Sequence, residues 1–327
     1  MMRQINRIGV FTSGGDAPGM NAALRAIFRR ANHYDLHIYA IQRGFEGMID
    51  GDIRRLEDDD VRNIIHHGGT FIRTARSQRF LESAGRKTAY ENLKAFDIDA
   101  MVAIGGNGTF TGCQIFSEEY DIPTIGIPGT IDNDLFGSDF TLGFDTAVNT
   151  AVEAVDKIRD TADSHNRLFI IEVMGRHSGY IALYTALASG ASAFVIPEDT
   201  TDIDKLVLQL QQAQRRKKLF SLIISAEGNK LGDAYSLSQQ IKNLMPEQDI
   251  RVTVIGHLQR GGAPTAADRI LAARLGHASV DALMEGQRNV MAGIVNDKLC
   301  FTPFKESVTL SKQPSNEMIE LTRMLGM

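Results

Sequence analysis

The feature that most constrains this chain is a repeated one: a short apolar run that stops at a glycine-rich turn. Ile8–Thr12 runs into Ser13-Gly14-Gly15-Asp16, Met101–Ile104 into Gly105-Gly106-Asn107-Gly108, and Ile122–Ile127 into Pro128-Gly129-Thr130. Leu168–Val173 ends in Met174-Gly175-Arg176, Leu219–Ala226 in Glu227-Gly228, and Val252–Ile255 in Gly256-His257. Runs of this length and content read as buried strands, as do Leu36–Ile41 and Ala193–Ile196. Helical stretches separate them, among them 21–32, 145–161, 180–189 and 202–214. Such alternation predicts an α/β protein: two similar lobes, each a mostly parallel sheet flanked by helices. Ligands of such sheets bind beyond the carboxyl ends of the strands, so an active site is expected in the cleft between the lobes. The expected division is 1–143 plus 256–305 for a nucleotide-binding lobe, and 144–255 plus 306–327 for a sugar-phosphate-binding lobe. The stretch from Phe301 to Met327 carries no clear signal, and Lys305 and Lys312 read as solvated charge.

The chain has 327 residues, enough for two lobes, and 43% are hydrophobic, so core material is ample. A formal net charge of −5 argues against nucleic acid or an anionic membrane as the main partner. Cys113 and Cys300 stand far apart without metal-ligand spacing and read as free thiols of a reducing compartment. The first residues show no leader pattern, and no window approaches a membrane span. A cytoplasmic location is the expectation.

The chemistry-bearing residues gather at the strand ends. Glycines between a strand and a helix let backbone N–H groups approach an anion, helped by the helix dipole. Gly14-Gly15 and Gly105-Gly106-Asn107-Gly108-Thr109 have that form, although each is also a plausible plain turn. Neither matches a P-loop or a dinucleotide fingerprint. In Pro128-Gly129-Thr130-Ile131-Asp132-Asn133-Asp134, two carboxylates one residue apart follow a buried strand. They suit a base and a metal contact for phosphoryl transfer to an alcohol, or a solvated turn. Arg176, Arg251, and His257 with Arg260 supply cations suited to phosphate.

Taken together, these segments resemble the bacterial ATP-dependent 6-phosphofructokinases. The resemblance rests on Gly-Gly-Asp-Ala-Pro-Gly-Met-Asn at 14–21, Pro-Gly-Thr-Ile-Asp-Asn-Asp at 128–134, Met-Gly-Arg at 174–176 and Gly-His-Leu-Gln-Arg-Gly-Gly at 256–262. It spans nearly the whole chain, in the family's order. It implies a homotetramer that phosphorylates fructose 6-phosphate with ATP and Mg²⁺. Asp132 would take the proton from the sugar hydroxyl, with Thr130 and Asp134 positioning and balancing charge. Arg76 would bridge the phosphates of nucleotide and sugar. Gly15, Gly106, Gly108, Thr109 and Gly112 would hold ATP, with Ser77 near the nucleoside. Met174, Gly175, Arg176, Glu227, His257 and Arg260 would hold the sugar phosphate. Arg167 and Arg251 would reach into a neighbouring subunit's site. Pyrophosphate-using relatives carry Asp and Lys where this chain has Gly108 and Gly129, so ATP is the expected donor.

The chain also departs from the family. Asn107 stands where an aspartate associated with Mg²⁺ is usual, which implies weakened metal affinity or turnover. An alternative reading is therefore a catalytically weak subunit that binds sugar phosphate and nucleotide. A pyrophosphate-dependent transferase and a nicotinamide-dependent dehydrogenase are further alternatives, disfavoured by Gly108 with Gly129 and by the missing fingerprint. Arg25, Arg29, Arg159, Arg216 and Lys218 match an effector site for ADP or phosphoenolpyruvate. Asp58, Ser192 and Phe220 break that pattern, so weak or altered control is expected.

Overall fold

The computed structural model describes residues 5–162, 167–199, 202–215 and 221–326. Through the first half the elements run β1 (Arg7–Thr12), α1 (Met20–His33), β2 (His37–Ile41), α2 (Gly44–Asp50), β3 (Ile53–Arg55), α3 (Asp58–Val61), α4 (Ser83–Ala95), β4 (Ala100–Gly105), α5 (Asn107–Tyr120) and β5 (Thr124–Pro128). Next come α6 (Phe144–Ala162), β6 (Leu168–Val173), α7 (Tyr180–Ser189), β7 (Ala193–Val195), α8 (Ile203–Arg215), β8 (Ser221–Ala226), α9 (Ala234–Leu244) and β9 (Ile250–Val254). A 3₁₀ turn at Gly256–Arg260 leads to α10 (Ala266–Met284), β10 (Val290–Val295), β11 (Lys298–Pro303), α11 (Phe304–Thr309) and α12 (Asn316–Gly326). The protein is α/β, with parallel sheets flanked by helices. Among the described residues no helix is long and apolar enough to cross a membrane.

Two compact units share the chain. The first comprises 1–130, 135–145 and 260–312; the second comprises 131–134, 146–259 and 313–327. The backbone thus passes between them repeatedly, and the short acidic segment 131–134 belongs to the second unit.

The first unit holds a seven-stranded sheet ordered β11-β10-β5-β4-β1-β2-β3. Its five inner strands are parallel, and β3 and β11 add antiparallel edges. The inner strands are mostly apolar because helices cover both faces; every residue of β4 and β5 is buried. An aromatic core lies against this sheet. The Phe45 and Phe80 rings stack at 3.9 Å, and Phe110 stacks on Phe304 at 5.2 Å. Each ring fully removed from water contributes roughly 1.5–3 kcal/mol. The order reverses between β1 and β4, which makes that pair the switch point where ligands of such sheets bind.

The second unit holds a four-stranded, all-parallel sheet ordered β7-β8-β6-β9. Its core is aliphatic: Leu168, Ile170, Leu206, Leu210, Ile223, Leu237 and Ile241 pack as one cluster. β9 is an edge strand, and Arg251 and Val254 on it are exposed. The C-terminal stretch is ordered here as the end of β11 followed by α11 and α12. Lys312 is not merely solvated, since its ammonium donates to the Asp139 carbonyl at 2.8 Å.

Candidate active site

In the first unit, three strand ends lie side by side. Thr12 of β1 pairs with Ile104 of β4, and Gly105 pairs with Pro128 of β5. The turns beyond them are stitched together by backbone bonds, Ser13 N–H to the Ile104 carbonyl at 3.0 Å and Gly129 N–H to the Gly105 carbonyl at 2.9 Å. The Gly14-Gly15, Gly105–Gly108 and Pro128–Thr130 turns are therefore neighbours at the switch point. Gly14 sits at φ 86°, where a side chain would be strained. Gly15 lies under the Arg260 guanidinium, whose Cζ would be 2.9 Å from a Cβ placed there. Arg260 also donates to the Asp16 carbonyl at 3.3 Å. A fixed cation thus stands on the first glycine turn.

The helix α5 begins at Asn107 with Gly106 as its N-cap, and no side chain caps it. The Thr109 and Phe110 N–H groups already donate to the Gly106 carbonyl at 3.0 and 3.1 Å, so the N–H groups of Asn107 and Gly108 are the natural partners of an anion at this end. Thr109 is 3% exposed, and its hydroxyl oxygen is buried without a hydrogen-bond partner among the described residues. A lone buried hydroxyl costs about 1–3 kcal/mol, so a polar ligand group is its natural complement. A Cβ at Gly108 would meet nothing within 4 Å, whereas one at Gly129 would meet Met20 at 2.8 Å and Ile104 at 3.1 Å. The first position is open and the second is closed by the core. At Gly112 the space is taken by the Phe45 ring, 2.9 Å from a Cβ, so packing alone accounts for that glycine.

The segment after His66 returns to β1. Thr12 Oγ1 donates to the Arg73 carbonyl at 2.8 Å, and Thr74 Oγ1 donates to the Gly14 carbonyl at 2.8 Å. Arg76 follows, exposed and without an ion-pair partner among the described residues. Ser77 is tied elsewhere: its hydroxyl donates to Glu46 of α2, and Arg79 bonds Glu46 at 2.7 Å and Asp50 at 2.6 Å. The Ser77 and Arg79 donors hold the Glu46 carboxyl below its ordinary value.

The second unit brings another set together at the carboxyl ends of β6, β8 and β9. Met174 N–H donates to Gln259 Oε1 at 2.8 Å, and Arg176 N–H donates to Glu227 Oε1 at 2.8 Å. Arg176 sits at φ 53°, a left-handed conformation that costs a non-glycine residue roughly 1–2 kcal/mol. Its side chain is exposed, as are those of Glu227 and His257. The acidic segment joins this unit. Asp132 is only 5% exposed, and its carbonyl accepts the Ser178 hydroxyl at 2.7 Å. Asn133 is also left-handed, at φ 52°. Glu172 on β6 accepts the Ala234 N–H at 2.7 Å; burial pushes its carboxyl up, with Asp233 and Glu227 adding repulsion. Sequence reasoning does not single out Ser178 or Glu172. Ser178 lies forty-six positions from its partner, and Glu172 resembles any other polar residue within a strand.

Arg167 and Arg251 do not join that set. Arg167 precedes the first residue of β6, and Arg251 pairs with Phe169 near the same end of the sheet. Both bond Asp249, at 2.8 and 3.3 Å, and hold its carboxyl below the ordinary range. Of the expected effector residues, Arg29 pairs with Asp58 at 2.9 Å. Arg159 donates to the Ser189 carbonyl, and Arg25 keeps a buried Nε without a partner among the described residues. Arg216, Lys218 and Phe220 lie outside the described residues. No cluster of three or more His, Cys, Asp or Glu that could hold a metal occurs among the described residues. The amide of Asn107, flanked by the open space at Gly108, suits an ion that arrives already bound to phosphate oxygens.

Comparison with known proteins places these observations in a family. The family described as Phosphofructokinase matches residues 7–283. ATP-dependent 6-phosphofructokinase 2 of Bacteroides thetaiotaomicron is 49% identical over 325 residues, which covers 99% of this chain and 100% of that one. ATP-dependent 6-phosphofructokinase 1 of Thermus thermophilus is 51% identical over 323 residues, covering 99% and 100%. Among solved structures, phosphofructokinase from Saccharomyces cerevisiae matches with a TM-score of 0.90 and 35% identity over 98% of this chain; the chain spans 48% of that yeast chain.

Proposed function

The chain belongs to the phosphofructokinase family, and from that premise we propose that it transfers the terminal phosphoryl group of ATP to the 1-hydroxyl of fructose 6-phosphate. The observation that carries this reading is the pair of glycine turns side by side at the β1–β4 switch point, next to the uncapped start of α5. Backbone N–H groups, the helix dipole and the buried Thr109 hydroxyl suit a polyphosphate. Gly15, Gly106, Gly108 and Thr109 would hold it, and the exposed Arg76 would neutralise transferring charge. Gly112 contributes by letting Phe45 pack rather than by contact. Ser77 is assigned to the nucleoside side only if the nucleotide displaces or shares its bond to Glu46.

In the second unit, Met174, Gly175, Arg176, Glu227 and His257 would hold the sugar phosphate. Asp132 would accept the hydroxyl proton as the phosphoryl group moves in line, with Thr130 and Asp134 helping to position it and to balance charge. Arg260, which the resemblance gives to the sugar phosphate, is proposed instead for an anion at the Gly14-Gly15 turn, because its guanidinium lies against Gly15. Mg²⁺ supplies charge neutralisation on the phosphates when bound, and Asn107 would hold it through an amide oxygen or a water. ATP is favoured over pyrophosphate because positions 108 and 129 are both glycine, so no side chain there would crowd the α-phosphate, and the space beside Gly108 is open.

The further readings are that the enzyme works in the cytoplasm as a homotetramer, and that Arg167 and Arg251 serve a neighbouring copy. Arg25, Arg29 and Arg159 remain candidates for an anionic effector such as ADP or phosphoenolpyruvate. Asp58 already neutralises Arg29, so weak control is expected: added ADP should change the fructose 6-phosphate saturation curve little, and strongly sigmoidal kinetics reversed by ADP would contradict this. The weakly active alternative gains nothing from the relatives named above. A coupled assay supplied with ATP, pyrophosphate or neither tests the main reading. Fructose 1,6-bisphosphate should form with ATP and Mg²⁺ only; formation with pyrophosphate, or none with ATP, would overturn it.

A further inference from the structure

Within the second unit, one side chain links the acidic segment to the Met174–Arg176 turn. Ser178 is 5% exposed, and its hydroxyl donates to the Asp132 carbonyl at 2.7 Å. The same residue closes its own turn, its N–H donating to the Gly175 carbonyl at 2.8 Å. That turn is pinned independently. Gln259 accepts the Met174 N–H, Glu227 accepts the Arg176 N–H, and Glu198 Oε1 accepts the Gly179 N–H, each at 2.8 Å. Gly179 is the N-cap of α7, so the turn is anchored to a helix as well as to two strand ends. The acidic segment continues at once into the left-handed Asn133, a conformation that needs its surroundings to hold it.

A buried hydroxyl is costly unless bonded, and alanine would suit the same small space. We propose that Ser178 is a positioning residue for the phosphoryl transfer: its hydroxyl fixes the backbone of Asp132 to the turn that presents Arg176. Base and phosphate-binding cation then keep one spacing. General bases act only within hydrogen-bond reach of the proton they take, and small displacements far from the chemistry can lower rate sharply. The inference rests on the reading of Asp132 as the base.

The test compares Ser178→Ala, Ser178→Cys and Asp132→Asn in the full-length protein, by steady-state kinetics with fructose 6-phosphate and MgATP and by thermal melting. Ser178→Ala should lower kcat roughly tenfold and leave both KM values within about twofold, because the turn keeps its other anchors. Its melting point should move by no more than a few degrees. Ser178→Cys keeps a donor and should recover part of the lost kcat. A kcat for Ser178→Ala within about twofold of the starting enzyme would overturn the proposal. So would a loss equal in both variants and matched by a large fall in melting point, which marks simple packing. Asp132→Asn separates the premise: if it stays active, the assignment of the base fails, whatever Ser178 does. If Asp132→Asn is inactive and Ser178→Ala is normal, the base stands and only the tether falls.

Discussion

Asn107 opens α5 beside Gly108, where an added side chain would meet nothing within 4 Å. An amide there has an oxygen of the right reach but no charge, so it can orient a hydrated cation without attracting it strongly. Replacing it with a carboxylate would add a full negative charge at the helix start, where the dipole favours one, beside the proposed polyphosphate site. Asn107→Asp should therefore lower the Mg²⁺ concentration needed for half-maximal rate by several-fold, read from a metal titration at saturating ATP. An unchanged titration and an unchanged turnover would remove any role for Asn107 toward the metal. The neighbouring glycines divide differently. Gly108 faces open space and Gly129 faces the core, so the two positions associated with donor choice differ in what they tolerate. An inserted side chain at 129 overpacks Met20 and Ile104, at a cost of roughly 1–3 kcal/mol.

At the scale of single elements, the first turn of α5 allows structure and binding to be separated. The buried Thr109 hydroxyl has no partner among the described residues, so Thr109→Val removes a desolvation cost of about 1 kcal/mol or more while keeping the shape. The variant should melt at an equal or higher temperature and show a raised KM for ATP. A lower melting point with an unchanged KM would mean that the hydroxyl serves the fold. Most of the parallel strands are legible in the sequence because burial on both faces forces short apolar runs, several of which end at glycine; β10, although parallel to β5, is missed. β3 and β11 are missed for another reason. They are edge strands that carry Arg54, Arg55 and Lys298, and an edge needs only one covered face. The short α2 holds Gly44 and Gly47, which breaks any helical signal. α10 is apolar on more than one side, so no amphipathic stripe marks it. Motif residues can be located from their place at strand ends. Their partners cannot: nothing in Gly256–Gly262 signals that Arg260 turns back onto Gly15, and nothing in His177-Ser178-Gly179 signals a bond to the Asp132 carbonyl.

For the molecule as a whole, the separation of Arg167 and Arg251 from the Arg176 end of the same sheet matters most. β9 runs parallel to β6, so Arg167 and Arg251 stand about six and four residues of strand away from that end, on the order of 20 and 13 Å. If they serve a second copy, two inactive variants should complement each other. Mixed assemblies of Asp132→Asn with Arg251→Ala should regain part of the activity that neither has alone, after co-expression or after mild dissociation and reassembly. Absence of recovery in verified hetero-oligomers would confine each active centre to one chain.

The interleaving of the two units along the backbone has a consequence for how the protein is made. β1 through β5 leave the ribosome long before β10 and β11, which complete the same sheet, have been translated. Until then the β5 edge is unpaired and apolar, a surface open to mispairing with other nascent chains. Synthesis therefore passes through an interval in which native contacts do not yet cover that edge.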